Sequence, residues 1–224
     1  MNILALDSTT EACSVALLRG QSVIEKFDII GRGHAEHLLP MMNSLLQENN
    51  ASLAEIDLFA YSAGPGSFTG IRIGAAMMQG LALARDRQLA AVSSLAALAR
   101  RQRGLVLSVI DARMDQVYHA MYQVADAGHP EQVTEAAVSS PGSIDLPEKA
   151  KITIVGTGWD RYQDEFTQMA SAERIITGVE TQFPHAADIA MLAKYQLESD
   201  NVADPADALP YYIRDKVALK MVER

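Results

Sequence analysis

Residues 2–10 read NILALDSTT and residues 104–113 read GLVLSVIDAR. Each is an apolar run of strand length that ends in an acid, Asp7 in the first half of the chain and Asp111 in the second. A strand-end carboxylate in each half is how a duplicated α/β fold builds a nucleotide cleft between two lobes. The flanking sequence repeats the plan. Around Asp7, strands fit 2–7, 12–18, 22–30, 56–62 and 89–92, and helices fit 34–48, 68–86 and 94–102, the last with Ser93 as its cap. Around Asp111, strands fit 104–110, 116–124, 132–138 and 151–155, and helices fit 159–170 and 185–197. Three leading strands joined by short turns imply an antiparallel meander, and the alternation that follows implies parallel pairing. The expectation is therefore α/β, with mixed sheets flanked by helices and run twice: an N-terminal lobe, 1–103, that carries the partner surface, and a C-terminal lobe, 104–224. Residues 125–150, rich in Gly, Pro and Ser, read as an excursion within the second lobe, and whether Lys216–Arg224 return to the first lobe is open.

Composition narrows the function. At 224 residues and 49% hydrophobic, the chain is long enough for a sizeable core. No segment approaches the ~18 consecutive apolar residues of a membrane span. The first residues lack a basic leader and end in Asp7, so a strand is expected there and not a signal peptide. Cys13 is the one cysteine, which excludes an internal disulfide; its apolar setting reads as a buried small hydrophobe in a reducing cytoplasm. A net charge of −9 leaves the chain poorly equipped to hold a phosphate backbone alone. Any contact with nucleic acid is expected to go through another subunit.

Gly64-Pro-Gly-Ser-Phe-Thr-Gly70 opens the helix at 68–86. A glycine loop at a helix N-terminus offers free amides to an anion, but the Lys-Ser/Thr ending of a phosphate-binding P-loop is missing: Gly70 is followed by Ile71-Arg72. Two readings stand: a phosphate site using Asp7, Ser8, Thr9, Gly64, Gly66, Ser67 and Asp111, or a tight loop with Ser67 or Thr69 capping the helix. The recurrence of glycine at 66, 70 and 74 calls for close backbone approach, within the chain or to a ligand.

On the helix at 34–48, Leu38, Met41, Met42 and Leu45 are spaced i, i+3, i+4, i+7, with Leu39 and Leu46 one position on. The helix at 68–86 has Ile71, Ala75, Met78 and Ala82 on one side and Ile73, Met77 and Leu81 on another. That is more apolar surface than one sheet face covers. It reads either as a wholly buried pair or as a partner interface at Leu38, Met41, Met42, Leu45, Ile71, Ala75 and Met78. Pro40 either kinks the first helix or marks a later start. His34-Ala-Glu-His37 has i, i+3 spacing, which does not set two imidazoles on one helical face, so no metal is expected. No nucleophile elbow occurs.

These stretches, with Val92-Ser-Ser-Leu95, Asp111-Ala-Arg-Met114 and Pro210-Tyr-Tyr-Ile-Arg214, resemble the bacterial TsaB (YeaZ) family from residue 2 to about 214. The resemblance implies the actin/Hsp70/sugar-kinase (ribonuclease H-like) fold. It implies a non-catalytic subunit in making threonylcarbamoyladenosine beside the anticodon of tRNAs that read codons starting with adenine. The family's transferase paralogue, TsaD, would be the binding partner, joined by the ATPase TsaE. ATP would be used by that complex, with no cofactor required here, and tRNA would be met only through it. A homodimer is expected when the chain is alone. The departures point the same way: His34-Ala-Glu-His37 is one residue short of TsaD's metal-binding His-x-x-x-His, and neither Asp7-Ser-Thr9 nor Asp111-Ala-Arg113 keeps the glycine of nucleotide-binding relatives. Gly156-Thr-Gly158 reads as a remnant of an adenosine loop. Weak residual nucleotide binding stays open. The rival expectation is an ATP-dependent enzyme of the same fold, a small kinase or ATPase, with phosphates at Ser8, Thr9 and Gly66 and magnesium near Asp7 and Asp111.

Overall fold

A computed structural model describes residues 1–125, 128–170, 174–177 and 182–213. Arg214 and the segment Lys216–Arg224 lie outside the described residues. In the first half, β1 (Asn2–Asp7), β2 (Ala12–Arg19) and β3 (Ser22–Ile29) form the expected meander. Then follow α1 (His34–Glu48), β4 (Leu58–Gly64), α2 (Phe68–Arg85), β5 (Gln88–Ser93) and α3 (Ser94–Ala99). In the second half come β6 (Gly104–Arg113), β7 (Gln116–Val124), β8 (Pro130–Gln132), β9 (Ala137–Ser139), β10 (Ile152–Val155), α4 (Thr157–Met169), β11 (Ile175–Thr177) and α5 (Ala186–Glu198).

The first sheet has the order β3-β2-β1-β4-β5, antiparallel on the meander side of β1 and parallel on the other. The second has the order β11-β10-β6-β7-β8, with β9 also on β7. With β6 in the place of β1, it has the same order and the same senses. Two mixed sheets of this order, flanked by helices, are the duplicated actin/Hsp70/sugar-kinase-like arrangement.

Helices on both faces explain why β1 is apolar without alternation. Leu4 and Leu6 face one core, shared with Leu38 and Met42 of α1 and Met78 of α2. Ile3 and Ala5 face another, shared with Ile189, Ala190 and Ala193 of α5. A division at 103/104 would place α5 with the second lobe, yet its side chains are buried on the first sheet. Two strands of that sheet fix its N-terminus: Ser14 accepts from the Ala186 amide at 2.8 Å and Glu25 from the Ala187 amide at 3.0 Å.

Three local expectations are corrected. The strand read over 132–138 is two short strands, because the Thr134 hydroxyl takes the Met121 amide of β7 in place of a backbone carbonyl. The short strand β11 was not foreseen, and α3 ends at Ala99, before its arginines. The last turn of α2 closes in left-handed backbone at Asp86, whose amide reaches the Leu83 carbonyl. Among the described residues, no helix is long and apolar enough to cross a membrane. Cys13 is fully buried, and burial pushes its thiol up to about 11.

An ion cluster ties α5 to the junction between the sheets. Asp188, 2% exposed, accepts from Arg100 at 2.8 Å and Arg101 at 2.7 Å, just beyond α3. Burial raises its carboxyl pKa, and the two guanidiniums oppose that rise. Asp188→Ala removes two charge-assisted hydrogen bonds but leaves arginines that keep solvent access, so it is expected to lower unfolding free energy by about 1–3 kcal/mol in a denaturant titration.

Candidate functional site

The residues expected to face a nucleotide meet at the ends of β1 and β4, but they face each other. Asp7 is fully buried. Its carboxylate accepts from the Thr9 hydroxyl at 2.8 Å and the Thr9 amide at 3.2 Å. Burial lifts its pKa to about 6, against the pull of these hydrogen bonds. The Ser8 hydroxyl donates to the Gly70 carbonyl at 2.9 Å, and the Thr9 carbonyl accepts from the Ser67 amide at 2.7 Å. Ser67 caps α2, accepting from the Gly70 amide at 3.2 Å.

The glycine spacing has its explanation here. A Cβ on Gly66 would stand 2.3 Å from the Thr9 carbonyl oxygen, and one on Gly70 would stand 1.8 Å from that of Ser8. On Gly74 it would meet the Ser8 hydroxyl oxygen at 2.7 Å. The loop wraps the turn after β1 and closes on the Ser8 and Thr9 carbonyls.

The second half repeats this. Gly64 at the end of β4 and Gly156 just after β10 have the same φ of 107°, a conformation suited to glycine. A Cβ on Gly156 would lie 2.2 Å from the Val109 carbonyl oxygen of β6. The segment Gly156-Thr-Gly158 thus packs on β6 at Val109, before its acid, whereas Gly66 and Gly70 pack on the turn after β1. Thr157 accepts from the Asp111 amide at 3.0 Å. Asp111 is held by Arg113 at 3.0 Å and, more loosely, by Arg161 at 3.8 Å. Arg113 also reaches Glu11 of the first lobe at 2.8 Å, so one guanidinium bridges the mouth between the lobes. Asp7 and Asp111, read together from sequence as one pair, have separate partners.

The two histidines are engaged with backbone. His34 Nε2 lies 2.9 Å from the Thr10 carbonyl oxygen, and His37 Nδ1 lies 3.0 Å from that of Gly33. Among the described residues, no group of three His, Cys, Asp or Glu side chains could hold a metal. One serine–histidine pair occurs elsewhere, unforeseen in the sequence: Ser139 Oγ and His119 Nε2 are 3.0 Å apart across β9 and β7. Burial lowers the His119 pKa.

The expected interface residues require a correction. Leu38, Met42, Leu45, Ile71, Ala75 and Met78 are all buried in the chain's own core, and Met41 is half-buried at its edge. The regular stripe marks the face that the first sheet covers. The second row is the one left at the surface: Ile73, Met77 and Leu81 on α2 are half-buried, and Leu39 on α1 is 48% exposed. Small residues Ala76 and Gly80 are exposed beside them.

A chain of two such lobes, each a mixed sheet of the same strand order flanked by helices, has an actin-like fold. Residues 28–220 match the family model described as TsaD: tRNA N6-adenosine threonylcarbamoyltransferase. The protein TsaB of tRNA threonylcarbamoyladenosine biosynthesis from Escherichia coli K12 is 36% identical, with 98% of this chain and 97% of that protein covered. The Haemophilus influenzae TsaB is 33% identical, with 98% and 96% covered. A solved structure of YeaZ from Pseudomonas aeruginosa superposes with a TM-score of 0.85 at 38% identity, covering 94% of this chain and 99% of that one. The chain belongs to the TsaB (YeaZ) family.

Asp7 yields a pH prediction. Its native pKa of about 6 lies above the ordinary 3.8, so the native state holds this proton more tightly than the unfolded chain does. The resulting stability is complete below the unfolded value and is lost as pH rises through the native one, an effect on the order of 3 kcal/mol. Thermal unfolding should show stability falling between pH 4 and pH 6 relative to Asp7→Asn, whose profile lacks this component.

Proposed function

We propose that this chain is the non-catalytic scaffold and activator subunit of a tRNA threonylcarbamoyladenosine-forming complex. In this reading it binds TsaD, the transferase subunit, which becomes active with the ATPase TsaE. Its relatives carry the name of that biosynthesis, and 36% identity over nearly the whole of both chains supports the same role here. The observation that supports the non-catalytic part is how the glycine loop is used: Gly66 and Gly70 lie against the Thr9 and Ser8 carbonyl oxygens with no room for a side chain, and the Ser67 and Gly70 amides are spent within the chain. In this reading the chain needs no cofactor of its own, and ATP is used elsewhere in the complex. The net charge of −9 supports meeting tRNA only through the other subunits. The cytoplasm is the compartment this reading requires.

A solved relative from Pseudomonas aeruginosa is described as similar to the peptidase YeaZ. The Ser139–His119 pair is a poor basis for proteolysis. It is a cross-strand contact, and among the described residues no carboxylate bonds the other imidazole nitrogen.

The surface offered to TsaD is the second row of α1 and α2: Leu39, Met41, Ile73, Met77 and Leu81, with Ala76 and Gly80 permitting close helix approach. Without TsaD the same face would pair with a second copy of the chain. Threonylcarbamoylation of tRNA in a mixture of TsaD, TsaE, ATP and threonylcarbamoyl-adenylate should depend on adding this chain. Equal activity without it would sink the activator role. Met77→Glu should weaken pairing with TsaD about 100-fold while leaving the chain folded, with a lowered thermal midpoint because Met77 is half-buried against the core. Met78→Glu, by contrast, should fail to fold, because Met78 is fully buried.

A further inference from the structure

The C-terminal segment up to Ile213 returns to the first lobe and runs along α2, from Gln79 at Pro205 and Ala208 to Phe68 at Tyr212. Gln79 of α2 donates to the Pro205 carbonyl at 3.1 Å and the Ala208 carbonyl at 2.6 Å, and the Tyr211 amide donates to the Ala63 carbonyl at 2.8 Å. These bonds fix the backbone that presents Tyr211 and Tyr212. Tyr212 faces Phe68 with ring centroids 6.2 Å apart, and Arg72 lies between them, its guanidinium carbon 3.2 Å from the Phe68 centroid and 5.0 Å from that of Tyr212. Phe68, Tyr211 and Tyr212 are between 43% and 51% exposed, and they border a notch of about 50 Å³.

Two features of this cluster call for an external occupant. First, Arg72 donates to the Phe68 carbonyl at 3.2 Å, and among the described residues it has no carboxylate partner. A guanidinium stacked on rings has its faces covered and its edge free, which suits a carboxylate received in the ring plane. Second, exposed aromatics beside an arginine, held in place by backbone hydrogen bonds, are the composition and rigidity of binding anchors. Nucleic acid is a poorer fit. Among the described residues the cluster holds one cation, and one cation on a chain of net charge −9 does not hold a phosphate backbone, whereas a single carboxylate needs only one.

We infer that Phe68, Arg72, Tyr211 and Tyr212 form an anchoring site for the same partner subunit, which presents a carboxylate to Arg72 and an apolar side chain to the notch. This rests on the reading above, in which α2 faces TsaD: Phe68, Arg72, Ala76 and Gly80 are all exposed at i, i+4, i+8 and i+12 along that helix. The C-terminal segment is then part of the interface, and the interface is longer than the two helices.

The test is calorimetric titration of the full chain with its cognate TsaD, comparing wild type, Arg72→Gln, Arg72→Lys, Tyr212→Ala and Met77→Glu, each checked to remain folded. Arg72→Gln and Tyr212→Ala should each weaken binding about tenfold or more, and Arg72→Gln should flatten its salt dependence. Arg72→Lys should recover part of the loss, since it keeps the charge but not the planar fork. Wild-type affinity in both the Arg72→Gln and Tyr212→Ala variants, with Met77→Glu still disrupting, would overturn the anchoring site and leave the helical interface standing. Wild-type affinity in Met77→Glu would strike the underlying reading instead. If Arg72→Gln binds TsaD normally but the assembled complex loses tRNA in a gel shift, the occupant is RNA and the inference is wrong.

Discussion

The backbone of Gly70 rests against the carbonyl of Ser8, and the first lobe is organised by that contact. The approach is so close that a Cβ there would stand 1.8 Å from the Ser8 oxygen. It sets how deeply the first turn of α2 enters the fold, and with it which side of the helix meets the sheet and which is left outside. The Ser8 hydroxyl on the Gly70 carbonyl and the Ser67 amide on the Thr9 carbonyl then lock the turn after β1 to the loop before α2. A site built to receive an anion needs those amides and that space free. Here both are used to join two elements of the chain.

The duplication makes the change of use easier to see. Each half carries an acid near the end of its central strand, and each brings a glycine loop and a helix onto that strand or the turn after it. In the first half, the acid is sealed from solvent and its pKa rises to about 6. In the second, Arg113 holds Asp111 and spans to Glu11 across the lobes. One carboxylate is answered by burial and hydroxyl donors, the other by cations. Neither is presented to a ligand as an open acid. What remains at the surface is apolar and aromatic: the outer row of α1 and α2, and the cluster around Arg72.

Much of this architecture was legible in the residues. Leu4 and Leu6 alternate with Ile3 and Ala5 because both faces of β1 are covered, and the run of apolar residues ending in Asp7 marks that strand without knowledge of its neighbours. The i, i+3, i+4, i+7 spacing of Leu38, Met41, Met42 and Leu45 also marked a buried face correctly. What periodicity cannot carry is the identity of the covering body. A stripe against the chain's own sheet and one against another protein look alike, so Met78 was read as interface when it is core. The glycines at 66, 70 and 74 signalled close approach, but only the packed structure shows that Ser8 and Thr9 are what approach. The positions of α5 and of Tyr211 and Tyr212 depend on contacts with residues more than a hundred positions away. No local pattern encodes those.

The central claim is that the cleft of this fold has been turned into internal structure, so that the chain works through its surface. Titrating the full-length chain alone with magnesium-ATP in a calorimeter tests it most directly. The account predicts no saturable heat up to about 1 mM nucleotide. Saturable binding in the micromolar range, lost on substitution of Thr9 or Ser67, would contradict it, because it would mean that the loop opens and the strand-end acids still serve a nucleotide.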